Sequence, residues 1–93
     1  MKDKNDIFLT KDKQIAPYLL TQEQIQFVGT KIVGSSIYFQ FSPFDACQLL
    51  VNKFLTRKAE PVDPKTLLEM VEVYRDRVFE MKEKNAKYGG KRL

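Results

Sequence analysis

The sequence predicts a small α+β domain with the element order β-α-β-β-α-α. Two apolar-rich runs flank Gly34 and Ser35, with the alternation that is typical of a β-hairpin. Two later segments carry apolar residues at helical spacing, and each begins with a capping residue followed by proline. The length of 93 residues suits one domain and is too short for two independent cores.

The first strand and the first helix are short. Residues 6–10 form an apolar run after a polar start, which predicts a strand or an extended entry segment. Residues 12–22 then show roughly helical spacing, with Thr10 or Asp12 placed to cap the start. Pro17 has no backbone N–H, and its ring is tolerated only in the first turn of a helix. We therefore expect a helix that is short and starts late, or one that bends near Pro17.

Residues 25–42 carry the strongest β pattern in the chain. With Gly34 and Ser35 as a two-residue loop, Val33 pairs with Ser36. Uninterrupted alternation then assigns one set of side chains to the core face: Val28, Thr30, Ile32, Ile37, Phe39 and Phe41. The opposite face carries a mixed set: Phe27, Gly29, Lys31, Val33, Tyr38 and Gln40.

Two amphipathic helices follow the hairpin. Ser42 as N-cap, with Pro43 at the first helical position, predicts the start of a helix of about four turns. Its buried stripe is expected to consist of Phe44, Cys47, Leu50, Val51, Phe54 and Leu55. Asp63 and Pro64 repeat this start and open the longest helix, which is expected to end near residue 84. The buried stripe of that helix is predicted to be Leu67, Met70, Val71, Tyr74, Val78 and Met81.

The composition argues against most catalytic and metal chemistry. The chain has no His, and its single cysteine, Cys47, falls on a buried helical stripe. The acidic residues of the last helix lie opposite its apolar stripe, as expected of a solvated, ion-paired face: Glu69, Glu72, Asp76, Glu80 and Glu83. We therefore expect no enzyme, no catalytic residue, no metal or other cofactor and no small-molecule substrate.

The chain shows no sign of membrane insertion or export. No apolar run approaches the roughly 20 residues that span a bilayer, and residues 1–9 lack a signal-peptide core. A single cysteine cannot form an internal disulfide. These features predict a soluble cytoplasmic protein without a membrane partner.

The net charge of +4 lies at the C-terminus. Residues 1–81 carry balanced charges, and the excess falls in residues 82–93, where Glu83 opposes five bases: Lys82, Lys84, Lys87, Lys91 and Arg92. The last residues also contain paired glycines and little to bury. We therefore divide the chain into a domain over residues 1–84 and a flexible basic tail over residues 85–93.

Several positions together resemble a family of short prokaryotic and phage domains of unknown function. They are Asp6 to Leu9, Ala16, Tyr18 to Leu20, Ile37 to Phe41, Cys47, Leu50, Phe54 and the helix start at Val62-Asp63. The resemblance covers roughly residues 6–81, and Pro17 and the basic tail are not part of it. It implies a fold and a setting among phage, mobile-element or small accessory genes, but no activity.

Nucleic-acid association is the leading functional hypothesis. Phe27 and Tyr38 on the mixed hairpin face could stack with unpaired bases of DNA or RNA beside Lys31, while the basic tail neutralises phosphates. Both features also have a structural explanation. If helices cover both faces of the sheet, Phe27 belongs to the core and Tyr38 is a half-buried residue, and a basic terminus can serve solubility alone.

The alternative hypothesis is a protein-interaction or assembly module, such as a homo-oligomer or a phage structural component. Beside its main stripe, the last helix carries a second strip that consists of Leu68, Arg75, Phe79 and Lys82. Apolar residues in such a strip suit a partner helix or self-association, with Leu68, Arg75 and Phe79 as the contact residues. A more deeply buried helix would explain the same pattern.

Overall fold

The computed structural model describes residues 6–85, which form three strands and three helices. These are β1 (Phe8–Thr10), α1 (Ile15–Leu20), β2 (Gln26–Val33), β3 (Ser36–Ser42), α2 (Phe44–Leu55) and α3 (Pro64–Asn85). The observed order β-α-β-β-α-α confirms the predicted α+β class. The strands form one antiparallel sheet of order β1-β3-β2, so β3 is the central strand. The predicted basic tail lies outside the described residues from residue 86 onward.

The core lies between one face of the sheet and the helices. Phe39 and Phe41 of β3 are only 1% and 0% exposed, and they belong to one buried cluster with residues of α1 and α2: Ala16, Tyr18, Leu19, Cys47, Leu50 and Val51. From α3, the ring of Tyr74 packs against Phe39 with centroids 4.9 Å apart. All three described helices therefore lie on the side of the sheet that carries Phe39 and Phe41, with α2 and α3 against β3 and α1 packed mainly against α2 and α3.

The hairpin has the predicted turn. Val33 pairs with Ser36 across Gly34 and Ser35, and Gly34 has the positive φ of 63° that the turn requires. The register continues without a shift to the pair of Thr30 and Phe39. Five of the six residues predicted for the core face accordingly share it: Thr30, Ile32, Ile37, Phe39 and Phe41.

A β-bulge in β2 reverses the predicted positions of Phe27 and Val28. Phe27 pairs with Phe41, and Gly29 pairs with Gln40, which is the neighbour of Phe41 on β3. Val28 is therefore an extra residue without a partner on β3. Gly29 adopts a φ of 149°, which side chains disfavour. The ring of Phe27 therefore lies on the core face, 5.6 Å from the rings of both Phe39 and Phe41, and Val28 is 48% exposed. The prediction that Val28 faces the core was wrong because it assumed unbroken alternation.

The first helix is short and starts late, which is one of the two predicted alternatives; the other was a bend near Pro17. Asp12 Oδ1 accepts hydrogen bonds from the backbone N–H of Gln14 at 2.7 Å and of Ile15 at 2.9 Å. Thr10 Oγ1 in turn accepts from the N–H of Asp12 at 3.1 Å. Pro17 is the third helical residue, inside the first turn, where its missing N–H removes no intrahelical bond. Asp12 therefore supplies the cap, and the short helix accommodates Pro17.

The second helix begins at Phe44, one residue later than predicted, and Ser42 is not its N-cap. Ser42 ends β3 and is buried, while Pro43 occupies the cap position and makes no side-chain hydrogen bond there. The N–H of Phe44 instead donates to Asp6 Oδ1 at 3.0 Å. A carboxylate from the start of the chain thus takes the role that the sequence pattern assigned to a local serine.

The helical stripes follow the prediction except at the ends of α2. Phe44 and Leu55 are 37% and 64% exposed, although they were predicted to lie on the buried stripe. They are the first and last residues of α2, where a helical stripe is least covered by neighbouring elements. In α3, Asp63 Oδ2 accepts from the N–H of Thr66 at 3.0 Å, as expected of an N-cap. The six residues of its predicted stripe are all half-buried: Leu67, Met70, Val71, Tyr74, Val78 and Met81.

Candidate functional site

The candidate site is the sheet face that points away from the helices, which we call the open face. By the strand register, it carries Leu9, Lys31, Val33, Ser36, Tyr38 and Gln40. Leu9 and Val33 are 42% and 51% exposed. Within residues 6–85, no helix packs on this face. Lys31 is exposed as well, whereas Ser36, Tyr38 and Gln40 are half-buried, as the structural explanation expected for Tyr38.

Tyr38 lies near the middle of the open face, between two lysines. Lys31 is its direct neighbour on β2. On the other side, the Nζ of Lys11 lies 5.8 Å from the centroid of the Tyr38 ring and donates a hydrogen bond to Ser36 Oγ at 3.3 Å. A lysine at this distance interacts favourably with the face of the ring. The result is one aromatic ring flanked by two cations.

Tyr74 holds the backbone of Lys11 in place from the other side of the sheet. Lys11 directly follows β1, whose last residue, Thr10, pairs with Phe39. The hydroxyl of Tyr74 donates to the carbonyl oxygen of Lys11 at 3.3 Å, and its ring packs on Phe39. Burial raises the pKa of Tyr74, and the nearby Asp12 carboxylate raises it further. The phenol therefore stays protonated as a donor well above neutral pH.

Phe27 does not belong to the open face. The bulge directs its ring to the core, where the guanidinium carbon of Arg77 lies 5.5 Å from the ring centroid. Arg77 is half-buried against this ring, unlike the exposed acidic residues of α3. The two aromatic residues that the sequence grouped together are thus on opposite faces, and only Tyr38 remains at the candidate site with Lys31.

The structure describes only the start of the basic segment. Lys82 and Lys84 are exposed in the last turns of α3. Lys87, Lys91 and Arg92 lie outside the described residues. The interpretation of the tail as a phosphate-contacting arm therefore rests on charge alone.

The second strip of α3 is exposed. Leu68 and Phe79 are 66% and 65% accessible, and Arg75 and Lys82 are exposed as well. No part of residues 6–85 covers the strip, so a deeper burial of the helix does not explain its apolar residues. The strip lies on the helix side of the sheet, away from the open face.

The remaining candidates for chemistry have structural roles or lie in solvent. Cys47 has no solvent exposure, and burial, followed by the charge of Asp6, raises the pKa of its thiol to about 11. The five acids of α3 are all exposed. No group of three or more Cys, Asp or Glu side chains in the described part of the chain is arranged to hold a metal ion. None of the described helices has the length and apolar character needed to cross a membrane.

Lys11 is the site residue that sequence analysis missed. Its place beside Tyr38 depends on the pairing of β1 with β3, two strands about thirty residues apart in the chain. The hairpin register follows from a local turn, but nothing local indicates which edge of the hairpin β1 joins. Had β1 been placed next to β3, its register would have put Lys11 level with Tyr38.

No protein-family model matches the chain, and no curated protein or solved structure is significantly similar to it. The resemblance to short phage and prokaryotic domains therefore stays an expectation. The fold and the open face define a class of protein: a small α+β domain with a sheet face that carries Tyr38 between two lysines and that no helix of residues 6–85 covers. Its function has to be argued from that surface.

Proposed function

We propose that this chain is a non-enzymatic accessory protein that binds single-stranded nucleic acid on its open face. The observation that carries the proposal is the position of Tyr38 between Lys11 and Lys31 on a face that no described helix covers. The basic C-terminal segment adds phosphate contacts in this proposal. A cytoplasmic setting, in phage or mobile-element biology, is part of it.

The physical basis is stacking combined with charge neutralisation. An unpaired base can stack on an accessible tyrosine ring regardless of its identity, which contributes about 1–3 kcal/mol per base. Lysines on either side of the ring can then neutralise the phosphates before and after that base. On the same face of β3, the neighbours of Tyr38 are the small or polar residues Ser36 and Gln40, which can donate hydrogen bonds to bases or phosphates.

The test is a fluorescence-anisotropy titration with labelled single-stranded DNA and RNA oligonucleotides. Tyr38→Ala should weaken binding by about 5- to 100-fold, which corresponds to the loss of one stacked base. Tyr38→Phe keeps the ring and should bind almost as well as the wild type. Val33→Ala on the same face is the matched control. Equal affinity of Tyr38→Ala and wild type would contradict the proposal.

The salt dependence separates the lysines of the open face from the tail. Replacement of Lys11 or Lys31 by Ala should lower the slope of log K against log salt by about one each. Lys65→Ala, which removes an exposed charge of α3, should leave the slope unchanged. Removal of residues 86–93 measures how much the tail contributes to this slope. If only this truncation changes the slope, the tail binds nucleic acid and the open face does not.

Self-association through α3 is a second candidate, which the exposure of Leu68 and Phe79 favours. Phe79→Asp should turn an oligomer into a monomer without unfolding it, as measured by sedimentation equilibrium. Val73→Asp is the matched control, because Val73 is an exposed apolar residue of α3 that lies outside the strip. A wild-type chain that is monomeric at high concentration would rule this candidate out.

A further inference from the structure

We propose that the second strip of α3 pairs with the same strip of a second copy of this chain, in antiparallel orientation. The twofold axis passes between Val73 and Tyr74. This inference rests on the self-association candidate and adds to it the partner, the orientation and the register. Three residues of the strip, Leu68, Arg75 and Phe79, carry it together with the adjacent Glu72, and all four are exposed on α3.

The apolar residues of the strip match each other under this symmetry. Leu68 and Phe79 lie at equal distances on either side of the proposed axis, about 8 Å each along the helix. Antiparallel pairing therefore brings Leu68 of one copy to Phe79 of the other, and the contact occurs twice. An isologous interface requires such a self-complementary patch. Two side chains that are about two-thirds exposed in the single chain would be covered together.

The charges beside the proposed axis match in the same way. Glu72 and Arg75 also lie at equal distances from the axis, so the same register places Glu72 of each copy against Arg75 of the other. A parallel pairing in register would instead set Glu72 against Glu72 and Arg75 against Arg75. Like charges directly opposed are unfavourable, and oppositely charged pairs select orientation in paired helices. The charge pattern therefore favours the antiparallel arrangement.

The ends of the strip agree with this register. Lys65 and Glu83 are separated by about five turns, so they lie on the same side of the helix. In the antiparallel pair, Lys65 of one copy lies within about 2 Å, along the helix axis, of the level of Glu83 of the other. Lys82 is at a similar level but about 100° further round the helix, so it does not oppose Lys65. The residues that flank the strip therefore add a complementary charge pair, Lys65 with Glu83, at each end of the proposed interface.

Cross-linking between single-cysteine positions tests the register. Lys65→Cys and Glu83→Cys leave the four central residues intact. A short bis-maleimide should link the two variants when they are mixed, because positions 65 and 83 of different copies are adjacent. Neither variant should link to itself, since like positions would be more than about 25 Å apart. The wild type controls for Cys47, whose buried thiol should not react.

The outcomes separate the register from self-association itself. A cross-link that forms only in the mixture, and disappears when Phe79→Asp is added, supports the antiparallel pair. If sedimentation shows a dimer but Lys65→Cys links to itself, or the mixture does not link, the proposed register is wrong. Self-association through α3 would still hold in that case. A monomer at all concentrations overturns both. In a dimer of the proposed kind, Phe79→Asp should raise the dissociation constant at least about tenfold, while its thermal unfolding confirms that the fold is retained.

Discussion

The two faces of the sheet differ in what their residues do for the molecule. The helix-covered face is made of rings that contact one another, with Phe27, Phe39 and Phe41 within 6.5 Å centroid to centroid. Among residues 6–85, the open face holds one ring, Tyr38, with a lysine on each side. One strand, β3, supplies residues to both faces in alternation. Neighbouring positions on that strand should therefore respond to mutation in opposite ways, one in stability and the other in binding.

The largest difference is expected between Phe41 and Tyr38. Phe41→Ala removes a fully buried ring from the middle of the core and should lower the free energy of unfolding by about 3–5 kcal/mol. Tyr38→Ala, three positions earlier on the same strand, should lower it by less than about 1 kcal/mol. Urea unfolding followed by circular dichroism measures both. Similar losses at the two positions would mean that the open face is covered by a part of the chain or by a partner.

Alkaline pH should destabilise the protein through the helix-covered side. Burial raises the pKa of Tyr18, Cys47 and Tyr74, in the case of Cys47 to about 11 from 9.0. The unfolded chain deprotonates first, so the stability linked to Cys47 is complete below pH 9 and is lost between pH 9 and 11. The loss should amount to at most about 2–3 kcal/mol. Urea titrations at pH 8 and 11 should show it for the wild type, and Cys47→Ala should show a smaller decrease.

The bulge at Val28, which puts Phe27 on the core face, is expected to require glycine at position 29. Gly29→Ala should lower the free energy of unfolding by about 1–3 kcal/mol, because a φ of 149° is strained for any residue with a side chain. Crowding does not contribute, since the nearest atom to an added Cβ is Gln40 Nε2 at 3.8 Å. Thermal unfolding measures the effect. A neutral result at Gly29 would show that the bulge forms without glycine.

The smallest effects are expected on the open face itself. Lys31→Ala and Val33→Thr should each change the free energy of unfolding by less than about 0.5 kcal/mol, because both side chains are exposed. Chemical denaturation of the two variants beside the wild type checks this. Losses above about 1 kcal/mol at either position would contradict the description of this face as uncovered.

The sequence was sufficient at the hairpin turn and at the start of α3, where the structural choice depends on neighbouring residues. It was not sufficient at the start of α2, where Asp6, not Ser42, accepts from the N–H of Phe44. The turn at Gly34 and Ser35 defined the hairpin register, and Asp63 with Pro64 defined the start of α3. The bulge could not be derived from alternation, because one extra residue exchanges the faces of all positions beyond it. Gly29 within a strand was the available hint, since an isolated glycine in a β pattern often marks a bulge.

Of the candidate site, the sequence predicted Lys31 and Tyr38 but neither Lys11 nor the position of Phe27, for a related reason. Lys31 and Tyr38 are paired by the local turn, and their proximity followed from it. The place of Lys11 depended on the pairing of β1 with β3, which no local pattern specifies. The exclusion of Phe27 depended on the bulge, for which Gly29 was only a hint. The free energy that decides such features comes from contacts between distant segments, and a single sequence does not show which of these segments meet.

The backbone amide of Phe44 donates a hydrogen bond to Asp6, so its hydrogen exchange can show when β1 detaches from the sheet. The donor and acceptor of this bond are 38 residues apart, at the start of α2 and just before β1. When β1 detaches from β3, the first turn of α2 loses its acceptor even if the rest of the helix is intact. In native-state hydrogen exchange, the Phe44 amide should therefore exchange together with the amides of β1 and before those of Leu50 and Val51. Its protection would measure the free energy with which the first strand is attached.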